Sequence, residues 1–352
     1  MKYSNGVKIW LFIGLVMVFI QVVVGGITRL TESGLSITKW EVVSGTLPPL
    51  TEEDWSQEFD LYKSTPQYKQ INEGMTLDDF KFIFFWEYIH RFWARIMGFV
   101  FLFPFIYFLR RKMLDAAILK KLGLVIVLAL LAATFGWIMV ASGLVERPWV
   151  NAYKLSFHLL IAFSVFSALL WAFLCTFHFD LSGLKNSQGL RRLLYGFLLI
   201  VVVQIFIGGI LSGMKAAVVY PTWPDMGGSL FPAIIFESRE WTFENFNNYD
   251  TNLFMAALIH FMHRCTGYIL LIVGIFLCLR YYKAVQYCNN ILIRNVPLFI
   301  VVIIFIQITL GVTTVIKSVG SIPLLWGVLH QAGALLLLTS IVFSLFILSI
   351  KK

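Results

Sequence analysis

Charge is scarce in this chain. Only 13% of its 352 residues are Asp, Glu, Lys or Arg, while 59% are hydrophobic, and the mean hydropathy is +0.81. An ordinary soluble domain, about 25% charged, is thereby excluded. Cysteine is scarce as well. Cys175, Cys265, Cys278 and Cys288 are the whole set, they fall in expected spans or in a cytoplasmic loop with no pair in an outer loop, and no disulfide framework is expected; packing is the reading for each. Neither a small-residue cleavage site nor an Arg- and Ser-rich transit segment accompanies the first apolar run. That run is therefore expected to stay as a span, in a bacterial inner membrane.

What the chain does contain is eight apolar stretches, each near the roughly 20 residues that carry a helix across hydrocarbon: 9–26, 87–109, 122–144, 155–179, 194–214, 253–279, 296–316 and 324–350. The expected fold class is an all-α membrane protein of eight transmembrane helices. Lys and Arg collect on the cytoplasmic side of such proteins. With the amino terminus inside, the inner segments carry 15 Lys/Arg against only Asp115 and Asp180, and the outer ones 10 Lys/Arg against 16 Asp/Glu. Both termini are thus expected in the cytoplasm. The net charge of +9 is a topology signal, so lipid, and no nucleic acid, is the expected surrounding.

The chain is written twice. Gln21-x-x-x-Gly25-Gly26-Ile27 recurs as Gln204-x-x-x-Gly208-Gly209-Ile210, and each copy runs into a long polar outer loop, 30–85 and 215–252, with Trp, Gly and Pro in the same order (Trp40, Gly45, Pro48; Trp223, Gly227, Pro232). His90-Arg91 matches His263-Arg264, and His158 matches His330. Such a repeat divides the chain into halves 1–180 and 181–352. Four helices in each half, an even number, give two like-oriented four-helix bundles. In the first outer loop, Thr51-Glu-Glu-Asp54 and Thr76-Leu-Asp-Asp79 have the hydroxyl and acid of helix starts, the second leading straight into the second span. A lid over the first bundle and a plain connector are both compatible with that loop.

One span is interrupted by charge. In WEYIHRFWARIMG, residues 86–98, positions 87, 90, 91, 94, 95 and 98 share a helical stripe, which collects Glu87, His90, Arg91 and Arg95. Charges at this depth cost about 2.5–3.5 kcal/mol each on insertion scales, which makes such a cluster a functional candidate. His90, His158, His263 and His330 each stand near the outer start of an even-numbered span, one pair per half. Two imidazoles from facing helices of a bundle can hold a haem iron axially. Zinc would want more ligands, and copper would favour Met or Cys beside His. Haem, two per chain, is the ligand expected, with Arg91, Arg95 and Arg264 as candidate partners of its propionates; Arg95 could equally pair with Glu87. Superposing His90 on His263 puts Glu87 over His260, so only the first half has a carboxylate beside its histidine. The second half reads as a holder of cofactor and carrier of electrons, the first as the place of reaction.

At these residues the sequence resembles the haem A synthase family, in its alphaproteobacterial and mitochondrial branch. The resemblance rests on Gly25-Gly26-Ile27-Thr28-Arg29-Leu30-Thr31-x-Ser33-Gly34-Leu35-Ser36, Glu87-Tyr88-x-His90-Arg91, Phe157-His158-Leu159, His263-Arg264 and Leu329-His330-Gln331, and spans nearly the whole chain. It implies an oxidoreductase that oxidises the C8 methyl of haem O twice, through a geminal diol, to the formyl of haem A for cytochrome oxidase. It further implies that His90 and His158 flank the substrate haem, that Glu87 is essential to the chemistry, and that His263 and His330 ligate a haem b cofactor, toward the periplasmic side. Expected partners are the farnesyltransferase that makes haem O and the cytochrome oxidase assembly path; a homo-oligomer is compatible with the sequence. Some members carry a cysteine pair in an outer loop, and this chain does not. The alternatives are a bis-histidine cytochrome that only carries electrons and a secondary transporter, which the internal repeat suggests.

Overall fold

The computed structural model describes residues 3–38, 47–144, 147–185 and 188–350; Trp40 and Gly45 of the first outer loop lie outside the described residues. Every regular element described is helical. Eight helices are long and apolar enough to cross a membrane: α1 (Asn5–Leu30), α4 (Leu77–Arg110), α5 (Ala116–Gly143), α6 (Ala152–Leu174), α7 (Gln188–Gly213), α10 (Leu253–Val285), α11 (Ile291–Ile316) and α12 (Leu324–Ile350). Between them lie the short outer helices α2 (Glu52–Lys63), α3 (Pro66–Gln70), α8 (Ala216–Val219) and α9 (Phe243–Asn247).

Local chemistry sets most helix starts. Side chains of Ser4, Asp115, Asn151, Asn252 and Asn290 accept hydrogen bonds from first-turn amides of α1, α5, α6, α10 and α11, which otherwise have no partner. Thr51 and Thr76 form full capping boxes with Asp54 and Asp79 at the heads of α2 and α4, as the sequence predicts. The ten residues of α4 that precede its apolar part are held outside the core of the bundle by α2, through a cluster of Phe59, Tyr62, Phe80, Ile83 and Phe84. Most helices run past the expected apolar stretches, as at Ala116, Gln188 and Val285, whereas α6 stops short. The apolar run to residue 179 leaves the helix at Leu174, where Thr176 Oγ1 donates to the Phe173 carbonyl at 2.7 Å. Phe179 instead turns sideways onto Phe343, 5.7 Å between ring centroids.

The helices α1, α6, α7 and α12 are the inner set, and one apolar core runs through them. Around it, α4 packs on α1, α5 on α6, α10 on α7, and α11 on α12. The halves join where α6 meets α7 and α1 meets α12. Small residues permit this approach. A Cβ on Gly213 would stand 2.6 Å from the Ala152 backbone, and one on Gly209 would stand 2.9 Å from the Ser156 backbone. At the outer surface, Arg29 donates to the Ser212 carbonyl at 2.6 Å and Lys215 pairs with Glu32. Each of these two ties joins positions that the sequence repeat makes equivalent.

Filling the α6–α7 crossing forces backbones apart, and overpacking costs about 1–3 kcal/mol. Gly213→Val is therefore expected to lower the thermal unfolding midpoint of the detergent-solubilised protein. An unchanged midpoint would contradict the tight crossing.

Candidate functional site

Each of the four histidines rests on a glycine of a neighbouring helix. An added Cβ would come within 3.0 Å of His90 Cε1 at Gly25, 3.1 Å of His158 Cε1 at Gly136, 2.9 Å of His263 Cε1 at Gly208 and 3.0 Å of His330 Cε1 at Gly311. In all four the ring turns its Cε1 edge to the glycine. The backbone of α1, α5, α7 or α11 is thus a flat seat for an imidazole carried by α4, α6, α10 or α12. A side chain of any size there would displace the ring.

Glutamine completes two of these seats. Gln21 Nε2 lies 3.2 Å from His90 Nδ1 and donates to the His90 carbonyl at 3.2 Å. In the same way, Gln204 Nε2 lies 3.2 Å from His263 Nε2 and donates to the His263 carbonyl at 3.0 Å. The double glycine of the repeated motif also divides its work. Gly25 and Gly208 seat histidines, whereas Gly26 faces Gln331 and Gly209 faces Ser156, each on a helix of the other half.

The two halves differ beside the histidines. Glu87 is 2% exposed; its Oε1 receives Arg91 at 2.5 Å, and its Oε2 receives Ser36 Oγ at 2.7 Å and the Ile37 amide at 2.8 Å. Arg91 also donates to the Ile37 carbonyl at 3.3 Å. The ion pair of Glu87 is with Arg91, one turn away, and not with Arg95, the pairing the sequence offers as an alternative to a propionate contact. In the second half His260, 1% exposed, accepts from Arg264 Nε at 3.1 Å. Arg264 goes on to the carbonyls of Thr222 (2.6 Å), Asp225 (2.7 Å) and Pro224 (3.3 Å). In each half, then, the Arg of the His-Arg pair ties its helix to the outer loop. A carboxylate stands between them in one half and an imidazole in the other.

The donor set suits a metal held by two axial nitrogens. The rings of His263 and His330 have centroids 6.3 Å apart at 77°. A metal about 2 Å from one nitrogen of each ring separates their centroids by roughly 6 Å, so this pair is spaced for an ion between them. No group of three or more His, Cys, Asp or Glu converges among the described residues. All four free cysteines stand outside these seats.

Several of these contacts carried a sequence signal that the repeat alone did not expose. Gln307-x-x-x-Gly311 is a third copy of the Gln21-x-x-x-Gly25 spacing, with Gly311 under His330. The fourth copy has Ala132 in place of glutamine four residues before Gly136. Ser36 ends the Gly25–Ser36 run after α1, but nothing in its spacing points to Glu87.

Compared with known proteins, residues 8–342 match the family described as cytochrome oxidase assembly protein. A haem A synthase of Flavobacterium psychrophilum is 40% identical over 352 residues, covering 98% of each chain. One from Nitrosospira multiformis is 39% identical over 337 residues, 95% of this chain and 91% of its own. One from Sinorhizobium medicae is 39% identical over 331 residues, 94% and 86% respectively.

If the glycine seats fix the rings, Gly208→Ala and Gly311→Ala should weaken binding of a metal porphyrin by about 10–100-fold, as disturbed ligand support does. Absorbance titration of the purified protein checks this. Wild-type affinity in both variants would show that ring position is set elsewhere.

Proposed function

The chain belongs to the haem A synthase family of cytochrome oxidase assembly proteins, and we propose that it converts haem O to haem A in a bacterial inner membrane. In this reading the halves 1–180 and 181–352 are like-oriented four-helix bundles with both termini in the cytoplasm and the histidines toward the periplasm. Haem O is the substrate, held between His90 and His158, where its C8 methyl is hydroxylated twice to a geminal diol that loses water to give the formyl group. Haem b is the resident cofactor, between His263 and His330. One observation carries the division: a histidine seat built the same way in both halves has Glu87 beside it in one and His260 in the other.

When bound, haem b supplies one-electron transfer to the reacting half. The chain's own residues do the rest. Glu87 is held on both oxygens by Arg91, Ser36 and Ile37, which fixes a carboxylate one helical turn from His90. From there it moves a proton or stabilises positive charge developing on the substrate macrocycle. Because two of its three donors come from the outer loop, that loop acts as a positioning lid over the first site. Arg91, Arg95 and Arg264 supply the positive charge that meets the propionates, Arg264 by exchanging a loop carbonyl for a carboxylate. The haem O farnesyltransferase stands upstream and cytochrome oxidase assembly downstream.

The test separates the halves. His263→Ala and His330→Ala are expected to lose the absorbance of the resident haem. His90→Ala, His158→Ala and Glu87→Ala should keep it while conversion of haem O falls by a factor of about 100 or more, the scale of a lost acid–base group. Equal loss of resident haem in all five variants, or full conversion by Glu87→Ala, would refute the assignment.

A further inference from the structure

The two halves differ in a second way, at the seam between their outer helices. In the second half α10 packs along α11, whereas in the first half the corresponding helices, α4 and α5, make no more than a glancing contact. The residues explain why. A Cβ on Gly274 would lie 2.5 Å from Ile304 Cδ1, so the second seam is closed by an isoleucine set against a glycine. Aligning the helices on their histidines and glycine seats puts Phe101 over Gly274 and Ala129 over Ile304. Phe101 turns away to Trp10, 5.1 Å between ring centroids, and Ala129 is exposed.

The substitutions continue along the seam. Leu271 and Ile308 of the second half both pack against its core. Their first-half counterparts, Gly98 and Ala133, are exposed, and nothing lies within 4 Å of a Cβ built on Gly98. Gly98 belongs to the same helical stripe as Glu87 and Arg91, so the seam runs on continuously from the site. At its outer end His158 rests on Gly136 of α5. There too Ala132 stands where the second half has Gln307.

From this we infer that the α4–α5 seam is a binding slot for the isoprenoid chain of the substrate, open sideways to the bilayer. The inference rests on the reading of the first half as the haem O site. Haem O differs from haem b by a hydroxyethylfarnesyl group, and the two sites differ by a slot that only the haem O half possesses. The slot is walled by apolar and small side chains, as an isoprenoid requires. From His90 to Phe101 the helix advances about 16 Å, enough for an extended farnesyl chain. Lateral opening lets the tail enter from lipid without crossing water.

The experiment writes the second-half residues into the first. Full-length Gly98→Leu/Ala129→Ile/Ala133→Ile protein, carrying its resident haem in nanodiscs, is titrated with haem O and separately with protohaem, which lacks the chain. Wild type should prefer haem O by at least about tenfold, and the variant should lose that preference through weaker haem O binding alone, a change of roughly one decade in Kd. Resident haem absorbance serves as the folding control. Unchanged haem O affinity, or equal weakening for both haems, overturns the slot. A wild-type chain that binds no haem O overturns the functional reading as well, which distinguishes the two failures. Should the variant not fold, wild type is cross-linked with haem O bearing a diazirine on the isoprenoid chain. Label on α4 between 94 and 102 and on α5 between 129 and 137 is expected; label confined to α1, α6 or phospholipid overturns the proposal.

Discussion

A side-chain-free stretch of helix backbone beneath each imidazole is the constraint on which the rest of this molecule depends. His90, His158, His263 and His330 lie against Gly25, Gly136, Gly208 and Gly311, and those contacts fix which helix packs on which. An imidazole buried among hydrocarbon side chains would otherwise hop between rotamers; a flat seat on one side removes that freedom. The second glycine of each Gly-Gly pair uses the same absence of a side chain to bring in a helix of the other half. One short motif therefore sets both the ligand geometry within a half and the join between halves.

On that common frame, a few replacements separate two tasks. Glu87 with Arg91 and His260 with Arg264 occupy the same turn, and each arginine reaches a loop carbonyl. The frame is equivalent, yet one half buries a carboxylate one turn from its histidine and the other a second imidazole. The closed seam of α10 and α11 and the loose one of α4 and α5 add a difference of shape to this difference of charge. Holding a cofactor for electron transfer needs enclosure and fixed ligands, which the second half supplies. Turning over a substrate needs an acid or base and a way in, and the first half has features suited to both.

Much of this was legible in the residues. Eight spans follow from hydropathy because an apolar run of that length has no other stable setting, and the helix starts follow from hydroxyls and amides placed before them. The histidines and Glu87 stood out because polar groups within spans are expensive. Other features were hidden for a physical reason. Phe179, past the end of α6 at Leu174, meets Phe343 far along the chain. Ser36 and Ile37 reach Glu87 across some fifty residues, a contact that no local spacing encodes. The open seam is a contact that fails to form, and no periodicity records it.

The central claim is that the first half performs the oxidation while the second holds the cofactor. Its most direct test is extraction and chromatography of the haems from membranes of an oxidase-free host that supplies haem O and expresses this chain. The account predicts haem A or its hydroxylated intermediate in extracts from cells with the wild-type chain. Haem O as the sole modified haem, with the protein present and carrying haem b, would contradict it and leave a chain that only carries electrons.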